Sequence, residues 1–476
     1  MKNIVINPVT RIEGHGKITI ELDEKGNVKD ARYCTVYVRG FEKFLEGCAI
    51  EDLPKFTPRI CGVCPISHHL CSAKACDDLF NVKIPVTAKK VRLLHNYLGL
   101  IHSHTAHICV LAGPDLLLPD ADQKTRNVFG LAAKNLDLVK KVIELRKFGQ
   151  EGSRILMGRA IHPYTAVPGG IAHQVTEEMV NEIKELGRNS MEIVEVIVDA
   201  VRKVTMDLVE NKKDLLDKLG NIETGYLGVV KDDGTTDFYD GKIRYMSKDG
   251  KITDFEAKDY LNYIAETTMD WSYVKAPYWK EFGFPAGIMK VGPLARLNVI
   301  EKLGTPKADE LLKEYREIVG RPAHITMLYH YARAIELMNC TEKALELLDD
   351  SDITGKDRFA DVPEPGAGEG IAIIEAQRGT LLHHYKTDEN GFLSDCSMIV
   401  STTFNNPAID QSIKIAAKNL INSSSADEKI LNTIEMVQRA YDPCLSCAAH
   451  SLDGRFPTVV EILDSEGNRI REIKNF

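Results

Sequence analysis

Two cysteine pairs with the same internal spacing lie near opposite ends of the chain. Two residues separate Cys61 from Cys64, and two residues separate Cys444 from Cys447. A C-x-x-C turn lets both thiolates face one metal ion, and two such turns complete a set of four sulfur ligands. The pairs therefore predict a four-thiolate metal site. Structural zinc is the simplest interpretation, with redox metals and dithiol chemistry as the alternatives.

The sequence around the pairs carries more ionisable groups than a structural zinc site requires. Structural zinc sites usually gather their ligands within a short span, because the metal drives the folding of a small module. Here most of the chain lies between the two pairs. A histidine closely follows each pair, and Arg59 or Asp442 stands two residues before it. These flanks favour a redox metal.

The composition excludes several classes of protein. The chain has 476 residues, with 60 basic and 69 acidic side chains and a net charge of −9. Its apolar fraction of 44% and charged fraction of 27% are those of a globular protein, and not of a disordered, collagenous or coiled-coil chain. An acidic balance without a basic stripe argues against nucleic-acid binding, because that binding requires neutralisation of phosphates.

We expect the protein to be cytoplasmic and to lack a membrane span. Its N-terminus turns polar too early for a secretory signal. No stretch reaches the ~20 apolar residues that a bilayer crossing requires. In a reducing compartment, paired cysteines are more often ligands or catalysts than crosslinks.

The spacing of apolar residues predicts a mostly helical body with strands at its margins. Helical periodicity marks residues 85–113, 123–146, 176–219, 308–319, 323–349 and 413–438. Strand patterns mark residues 17–22, 31–38, 371–375 and 392–403, short segments within 225–258, and a C-terminal hairpin from 459 to 473. No repeat or linker divides the chain. We predict an α+β fold, predominantly α, with a multi-helical core in one domain of residues 1–476.

Six motifs, in the same order along the chain, resemble those of [NiFe]-hydrogenase large subunits. They are Arg11-Ile-Glu-Gly-His15, Arg39-Gly-Phe-Glu42, Arg59-Ile-Cys-Gly-Val-Cys64, Gly292-Pro-Leu-Ala-Arg296, Arg378-Gly379 and Asp442-Pro-Cys-Leu-Ser-Cys-Ala-Ala-His450. Respiratory-complex relatives of this fold lack the four cysteines. Within the family, the Pro-Ile-Ser-His-His run and residues 158–170 most resemble the cytoplasmic F420-non-reducing (methyl-viologen-reducing) type of methanogenic archaea.

The resemblance implies a bimetallic centre that catalyses H2 ⇌ 2H⁺ + 2e⁻ by heterolytic cleavage. Cys61 and Cys444 would be terminal nickel ligands, and Cys64 and Cys447 would bridge nickel to a low-spin Fe(CN)2CO unit. Soft thiolates suit a redox-active late transition metal. A terminal thiolate such as Cys444 would be the first proton acceptor.

Further residues match family positions around this centre. Glu13 matches the carboxylate that relays the proton; a surface salt bridge with Arg11 is the alternative. Arg378 matches the guanidinium that overhangs the metals, and its charge would keep Asp442 ionised. The alternative is an ordinary ion pair between Arg378 and a carboxylate in the protein interior. His68 matches a histidine beside a bridging sulfur, and a satisfied core histidine is the alternative.

Two smaller ligand sets also follow from the resemblance. Thr402 and the backbone near Arg378 match hydrogen-bond donors to cyanide, with Val400 and Ser401 lining the diatomic pocket. Glu42, the Met398 carbonyl and His450 match a separate Mg²⁺ (or Fe²⁺) site, which suits the oxygen-rich, water-retaining habits of Mg²⁺. The alternative for Glu42 is an exposed acid beside Lys43.

The sequence departs from the better-known family pattern at Ser103, where periplasmic members carry an acidic residue near the active-site arginine. The nearby His102, His104 and His107 resemble a metal tract, but helical spacing separates them, so we predict packing roles. The seven remaining cysteines lack iron–sulfur spacing. We therefore expect no iron–sulfur cluster in this chain.

Partners follow from that expectation. Electrons would leave through an iron–sulfur small subunit to a heterodisulfide-reductase-type module with a small linking subunit, with ferredoxin as a second acceptor. An F420- or NAD-coupled hydrogenase with the same site is one alternative. A non-catalytic zinc protein of the related quinone-module fold is another. In the family a protease usually cuts after the histidine that corresponds to His450, so residues 451–476 are either a removable extension or a permanent hairpin.

Overall fold

The computed structural model describes residues 3–122, 124–421, 426–450, 458–463 and 469–475. Within these ranges, none of the helices is long and apolar enough to cross a membrane. The predicted α+β class with a helical majority is confirmed.

The strands form several small sheets. They are β1 Asn3–Ile6, β2 Gly16–Leu22, β3 Val28–Thr35, β4 Ala166–Val167, β5 Gly170–Ile171, β6 Gly225–Val230, β7 Lys242–Met246, β8 Ile252–Phe255, β9 Ile264–Met269, β10 Ser272–Trp279, β11 Met289–Lys290, β12 Gly368–Ala376, β13 Gly379–Thr387, β14 Leu393–Ile399, β15 Thr458–Leu463 and β16 Arg469–Asn475. The sheet orders are β1-β2-β3, β10-β9, β11-β6-β7-β8, β12-β13-β14, β15-β16 and β4-β5. All pairs are antiparallel except β11 with β6.

The α-helices make up the body. They are α1 Phe41–Leu45, α2 Leu53–Phe56, α3 Pro65–Leu79, α4 Val86–Ala106, α5 Gly113–Leu117, α6 Val128–Lys134, α7 Leu136–Met157, α8 Glu177–Leu186, α9 Ser190–Asn211, α10 Lys213–Leu216, α11 Tyr260–Tyr263, α12 Pro293–Val299, α13 Pro306–Val319, α14 Tyr329–Leu348, α15 Ser401–Leu420, α16 Glu428–Tyr441 and α17 Leu445–Ala448. Helix α4 is buried on almost every face and packs against α7 and α14, as expected of a helix without a polar face.

Several elements place the predicted site residues. Helix α3 packs on β12 and β13, whose connecting turn carries Arg378. Helix α15 packs on β3 and β10, and α17 lies against α15. The core thus surrounds the point where the N-terminus of α3, the β12–β13 turn and the C-terminal end of α16 meet.

Several predicted boundaries were wrong, for local reasons. The strand predicted over 392–403 ends at Ile399, and α15 begins at Ser401. The helical tract 123–146 is divided at Asn135, whose side chain accepts from the Leu138 amide and begins α7. The tract 176–219 is interrupted at Gly187, the C-cap of α8, and the tract 413–438 is split between α15 and α16. Helix α3 was missed because burial on nearly all faces removes the amphipathic stripe.

The predicted hairpins are present. Strands β2 and β3 pair antiparallel around the 23–27 turn, and β6, β7 and β8 lie within residues 225–258. The C-terminal hairpin predicted from 459 to 473 is confirmed by the pairing of β15 with β16. Its predicted turn, 465–468, lies outside the described residues.

Candidate metal centre

The four cysteines of the two pairs form one buried cluster. Sγ of Cys61 lies 3.3 Å from Sγ of Cys444, and Sγ of Cys64 lies 3.1 Å from Sγ of Cys447. The sulfurs of Cys444 and Cys447 are 3.1 Å apart. This is the one group of metal-ligand type found in the part of the chain that the structure describes, and all four sulfurs lie within 4.8 Å of one another. The predicted four-sulfur arrangement is therefore present.

The first pair lies just before a helix, and the second pair spans the start of one. Cys64 is the N-cap of α3, with Pro65 at the first helical position, and Cys444 is the N-cap of α17. Because the first amides of a helix have no intrahelical partner, they point toward an N-cap side chain and favour negative charge there. Neither cap sulfur accepts a hydrogen bond from these amides, so the effect is limited to the dipole of the longer helix, α3, which favours negative charge at Cys64.

Burial acts in the opposite direction on two of the sulfurs. It raises the pKa of the Cys444 and Cys447 thiols well above the ordinary value. A cation that binds the four sulfurs would reverse this effect, because a metal ligand must be the thiolate.

A cavity adjoins the cluster and is capped by Arg378. Its empty volume is about 250 Å³, and its lining residues are Cys64, Ser67, His68, Ala376, Gln377, Arg378, Leu381, Val400, Ser401, Thr402, Cys444 and Cys447. Arg378 Nη1 is buried and has no hydrogen-bond partner among the described residues. Four soft donors beside a cavity with an unpaired guanidinium nitrogen fit a nickel–iron centre that carries small ligands.

Asp442 is the electrostatic partner of Arg378. Arg378 Nε donates to the Asp442 carbonyl at 2.6 Å, and Nη2 lies 3.1 Å from Asp442 Oδ1. Burial lowers the pKa of Arg378, but Asp442 and the cluster sulfurs outweigh it and leave the pKa raised. Asp442 thus supplies the charge partner of Arg378. Ser103 supplies none, and its hydroxyl has no hydrogen-bond partner within the described residues.

Two glycines explain why Arg378 sits where it does. Gly292 and Gly379 have φ values of +93° and +130°. A Cβ on Gly379 would meet the Gly292 nitrogen at 2.4 Å, and one on Gly292 would meet the Arg378 carbonyl oxygen at 2.5 Å. The Gly292-Pro and Arg378-Gly379 motifs are thus two halves of one backbone contact.

Glu13 lies on the opposite side of the cluster. Its Oε2 is 3.0 Å from Cys444 Sγ and accepts from the Ser446 amide at 3.0 Å. The Ser446 hydroxyl donates to Oε1, and the Glu13 carbonyl accepts from the Leu445 amide. Glu13 therefore makes no surface salt bridge with Arg11, which excludes that alternative.

Arg11 instead anchors the segment that carries Glu13. Its Nη2 contacts Asp115 Oδ1 at 2.6 Å and Asn432 Oδ1 at 3.2 Å. Arg439, on α16, contacts the other oxygen of Asp115 at 2.7 Å and the Thr10 carbonyl at 3.1 Å. This network ties the N-terminal segment to the helix that leads to Cys444.

His68 lies beside the sulfur of Cys447. Its Nε2 is 3.4 Å from Cys447 Sγ, and its Nδ1 is 3.2 Å from Nε2 of His383. Nδ1 of His383 in turn lies 2.6 Å from the Tyr385 hydroxyl. Burial lowers the pKa of His68 to about 4, so this histidine is neutral at physiological pH.

A second convergence of donor atoms lies near the end of α17. His450 Nε2 is 2.6 Å from the Met398 carbonyl oxygen and 3.4 Å from Glu42 Oε1. Burial raises the pKa of Glu42, but His450 outweighs it and leaves the pKa lowered. One carboxylate, one carbonyl and one imidazole can hold a hard cation together with water. Glu42 is thus not the exposed acid of the alternative interpretation.

The remaining predicted residues lie around the cavity or in the core. The Thr402 hydroxyl oxygen accepts from the Cys444 amide at 3.0 Å, and the Ser401 hydroxyl donates to the Gly379 carbonyl at 2.7 Å. Val400 is buried against the cavity. His104 contacts Glu336 at 3.2 Å, and His107 contacts the Arg439 carbonyl at 2.7 Å. His104 and His107 are thus each hydrogen-bonded to a core group through one ring nitrogen, and the packing role of the three histidines stays a prediction.

Sequence reasoning missed three residues at the site. Ser446 holds Glu13, His383 holds His68, and Gln377 lines the cavity and accepts from the Ser67 hydroxyl at 2.9 Å. Ser446 and Gln377 stand inside or beside motifs already singled out, so their positions could have marked them. His383 offered only its place in a buried strand.

Comparisons with known proteins agree with this geometry. A family profile described as "Nickel-dependent hydrogenase" matches residues 39–122 and 216–450, and one described as "HoxL-like" matches residues 3–36. The chain is 44% identical over 475 residues to a component of the vhc F420-non-reducing hydrogenase of Methanococcus voltae, covering 99% of each chain. It is 38% identical to the beta subunit of the NAD-reducing hydrogenase HoxS of Cupriavidus necator, also covering 99% of each chain.

The fold matches solved structures as well. A crystal structure of an NAD⁺-reducing [NiFe]-hydrogenase in the H2-reduced state superposes with a TM-score of 0.90 and 38% identity, covering 94% of this chain and 100% of that chain. The four-sulfur cluster, the position of Arg378 beside its cavity and the full-length similarity lead to the same conclusion. The chain belongs to the nickel-dependent hydrogenases, as the large subunit that carries the catalytic centre.

Proposed function

We propose that this hydrogenase subunit works in an F420-non-reducing complex, with Cys444 as the first proton acceptor, Glu13 as the proton relay and Arg378 as the polarising group. The observation that carries the proposal is the placement of Glu13 Oε2 at 3.0 Å from Cys444 Sγ, on a cluster whose cavity is capped by the unpaired Arg378 Nη1. Full-length similarity to components of F420-non-reducing hydrogenases supports the subtype.

The chain's own residues supply the proton chemistry. When bound, a nickel–iron centre supplies an open coordination position for H2 and takes up the electron pair. The sulfurs of Cys61, Cys64, Cys444 and Cys447 would hold this centre. The Cys444 sulfur takes the proton, and Glu13 receives it through the existing contact. Such a positioned acid–base group contributes about 10²- to 10⁴-fold to the rate.

Cyanide and carbon monoxide ligands on iron fit the other wall of the cavity. Because Thr402 Oγ1 already accepts from the Cys444 amide, its own proton is available to donate to a cyanide nitrogen. Arg378 Nη1 offers a second donor. The Ser401 proton is engaged with the Gly379 carbonyl, so Ser401, like Val400, would line the pocket without donating.

We also assign a Mg²⁺ (or Fe²⁺) ion to Glu42, the Met398 carbonyl and His450. Their convergence within 3.4 Å supports it. The proposal further includes removal of residues 451–476 after His450, the cut that the family resemblance implies. The intact mass of the purified mature chain tests the cleavage, and magnesium content tests the cation.

The partners belong to the proposal too. An iron–sulfur small subunit would receive the electrons and pass them to a heterodisulfide-reductase-type module, with ferredoxin as second acceptor, in the cytoplasm. The NAD-reducing relative and the TM-score of 0.90 to an NAD⁺-reducing enzyme favour one alternative, an NAD-coupled complex with the same site. Purification with native partners, followed by H2-dependent reduction assays with NAD⁺, F420 and heterodisulfide, separates them.

Metal analysis tests the centre itself. The chain, purified anaerobically from a host that can mature it, should contain about one nickel per chain, with iron in excess from the partner clusters. It should reduce methyl viologen under H2. Zinc at the same stoichiometry without nickel, from such a host, would show that the cysteine cluster is a structural site.

A further inference from the structure

A chain of hydroxyl groups continues from Glu13 toward the protein surface. The Ser446 hydroxyl donates to Glu13 Oε1, and the Tyr37 hydroxyl lies 3.1 Å from Ser446 Oγ. Tyr37 is half-buried, and its ring packs edge-on against that of exposed His15, with centroids 6.1 Å apart. Cys444, Glu13, Ser446 and Tyr37 therefore form one unbroken path from the metal cluster to the surface.

The two oxygens of Glu13 face different partners. Oε2 faces Cys444 Sγ, and Oε1 faces the Ser446 hydroxyl. A proton that arrives on Oε2 reaches the Ser446 side when the carboxyl group makes a half-turn about its Cγ–Cδ bond. The Ser446 amide donates to Oε2 at 3.0 Å in the structure. After the half-turn, Oε1 would take this position. The carboxyl group thus receives from one side and delivers to the other.

The backbone is shaped to admit the Tyr37 hydroxyl. Gly14 has a φ of +86°, and a Cβ at this position would lie 2.5 Å from the Tyr37 hydroxyl oxygen and 2.8 Å from Leu445 Cβ. Any side chain at position 14 would therefore push Tyr37 away from Ser446. Gly14 therefore leaves room for the Tyr37 hydroxyl and also for Leu445, which lies between the two cysteines of the second pair.

We propose that Ser446 and Tyr37 carry the proton from Glu13 to solvent; this rests on the proposed relay role of Glu13. Glu13 gives its proton to Ser446 Oγ, Ser446 gives its own to the Tyr37 oxygen, and Tyr37 gives its own to water. One O–H bond forms and one breaks at each hydroxyl. Glu13 returns to carboxylate, both hydroxyls are regenerated, and no electrons move.

A second series of hydrogen-bonded side chains starts at Cys447 and stays inside the protein. It runs from Cys447 through His68 and His383 to Tyr385, whose hydroxyl donates to Ser72 at 3.0 Å. All five residues are buried. This series of contacts ends in the core, whereas the series from Glu13 ends at a partly exposed tyrosine, so the structure favours the latter as the exit.

The test compares H2 cleavage with proton release in the complete, nickel-normalised enzyme. Conversion of para-H2 to ortho-H2 requires reversible cleavage alone, whereas formation of HD and H2 from D2 in water also requires proton exchange with solvent. Tyr37→Phe removes one hydroxyl and leaves every contact of Glu13 in place. It should slow D2 exchange by about tenfold or more and leave para-H2 conversion at the wild-type rate.

Further variants give the matched comparisons. Ser446→Ala should behave like Tyr37→Phe, and Ser446→Thr should restore exchange because it keeps the hydroxyl. Tyr278→Phe, another half-buried tyrosine, should leave both rates unchanged. Infrared difference spectra after H2 addition should show protonated Glu13, identified by its loss in Glu13→Gln, persisting longer in Tyr37→Phe than in the wild type.

Three results would overturn the path. Wild-type exchange in Tyr37→Phe would show that the proton leaves elsewhere, and slowed exchange in Tyr385→Phe alone would place the exit on the Cys447 side. An equal fall of both rates in Tyr37→Phe would mean that the hydroxyl acts on cleavage. The Glu13→Gln variant tests the relay role separately. A wild-type rate of D2 exchange in Glu13→Gln would refute the relay role. Slowed exchange in Glu13→Gln together with a wild-type rate in Tyr37→Phe would refute only the path through Ser446 and Tyr37.

Discussion

Glu13 is anchored at its backbone carbonyl and at both carboxylate oxygens. Its carbonyl accepts from Leu445, its two carboxylate oxygens accept from Ser446, and Oε2 also faces Cys444. All three neighbours lie in the segment that carries the second cysteine pair, so the position of Glu13 depends on the position of that pair. Preorganisation of this kind lowers the reorganisation needed at the moment of proton transfer.

Glu13→Gln should lower H2-dependent methyl viologen reduction by about 10²- to 10⁴-fold. The amide keeps the size of the side chain and can accept from Ser446, but it cannot take the proton from Cys444. Nickel content should stay at the wild-type level. Glu21→Gln, which changes an acid on β2 paired with Lys29 at the surface, is the control, and equal activity of the two variants would contradict the relay.

Arg378→Lys should lower the same activity by about 10²- to 10³-fold, the effect of removing one preorganised donor. A lysine keeps the charge but cannot contact the Asp442 carbonyl and carboxylate together while also pointing a third nitrogen at the cavity. The measurement is the rate per nickel. The structural interpretation of Arg378 as an ordinary interior ion pair predicts near-normal turnover in any variant that still folds and binds nickel.

At the scale of elements, the site depends on close contacts between chain segments that are distant in sequence. Gly292 precedes α12 and Gly379 opens β13, and their backbones touch with no room for a Cβ. This contact fixes the turn that presents Arg378.

Gly292→Ala should therefore damage the site more than its size suggests. A Cβ would meet the Arg378 carbonyl at 2.5 Å, in addition to the strain of a φ of +93°. Gly47→Ala is the matched control, because Gly47 has a φ of +81° with open space around it. Strain alone costs about 1–3 kcal/mol. Gly292→Ala should show the larger fall in midpoint temperature and should lose nickel, and equal behaviour of both variants would contradict the contact.

The cysteine cluster was predictable from sequence, and much of its surroundings was not. Identical spacing marks the ligands at 61, 64, 444 and 447 without any structure. The helix that positions Cys64 was missed because it has no polar face, and the boundary at Ser401 was missed because α15 begins with Ser, Thr and Thr, residues common in strands. Contacts such as Glu13 with Ser446 join segments more than 400 residues apart, and local patterns carry no information about them.

For the whole molecule, one buried carboxyl group joins three separate elements. Asp410 lies on α15, and its Oδ1 accepts from the Tyr33 amide of β3 at 2.7 Å and from Trp271 Nε1, just before β10, at 3.1 Å. Burial raises its pKa from 3.8 to about 6, although both hydrogen bonds oppose the shift. The protein therefore holds a carboxylate above pH 6 in a place that favours the neutral acid.

The sign of the resulting pH effect follows from the raised pKa. Below about pH 4 the group is protonated in both the folded and the unfolded chain, and its full contribution to stability is present. Between pH 4 and pH 6 the unfolded chain ionises first, so stability is lost as the pH rises through this window. At about 1.4 kcal/mol per pKa unit, the loss is on the order of 3 kcal/mol.

Asp410→Asn should remove this dependence, because the amide oxygen can accept both hydrogen bonds while the group stays neutral. The midpoint unfolding temperature of the variant should exceed that of the wild type at pH 7, and the gap should close as the pH falls to 4. Asp214→Asn, at an exposed position on α10, should show a gap that does not change with pH. A constant gap for Asp410→Asn as well would mean that Asp410 ionises in the folded protein at little cost, and would contradict the raised pKa.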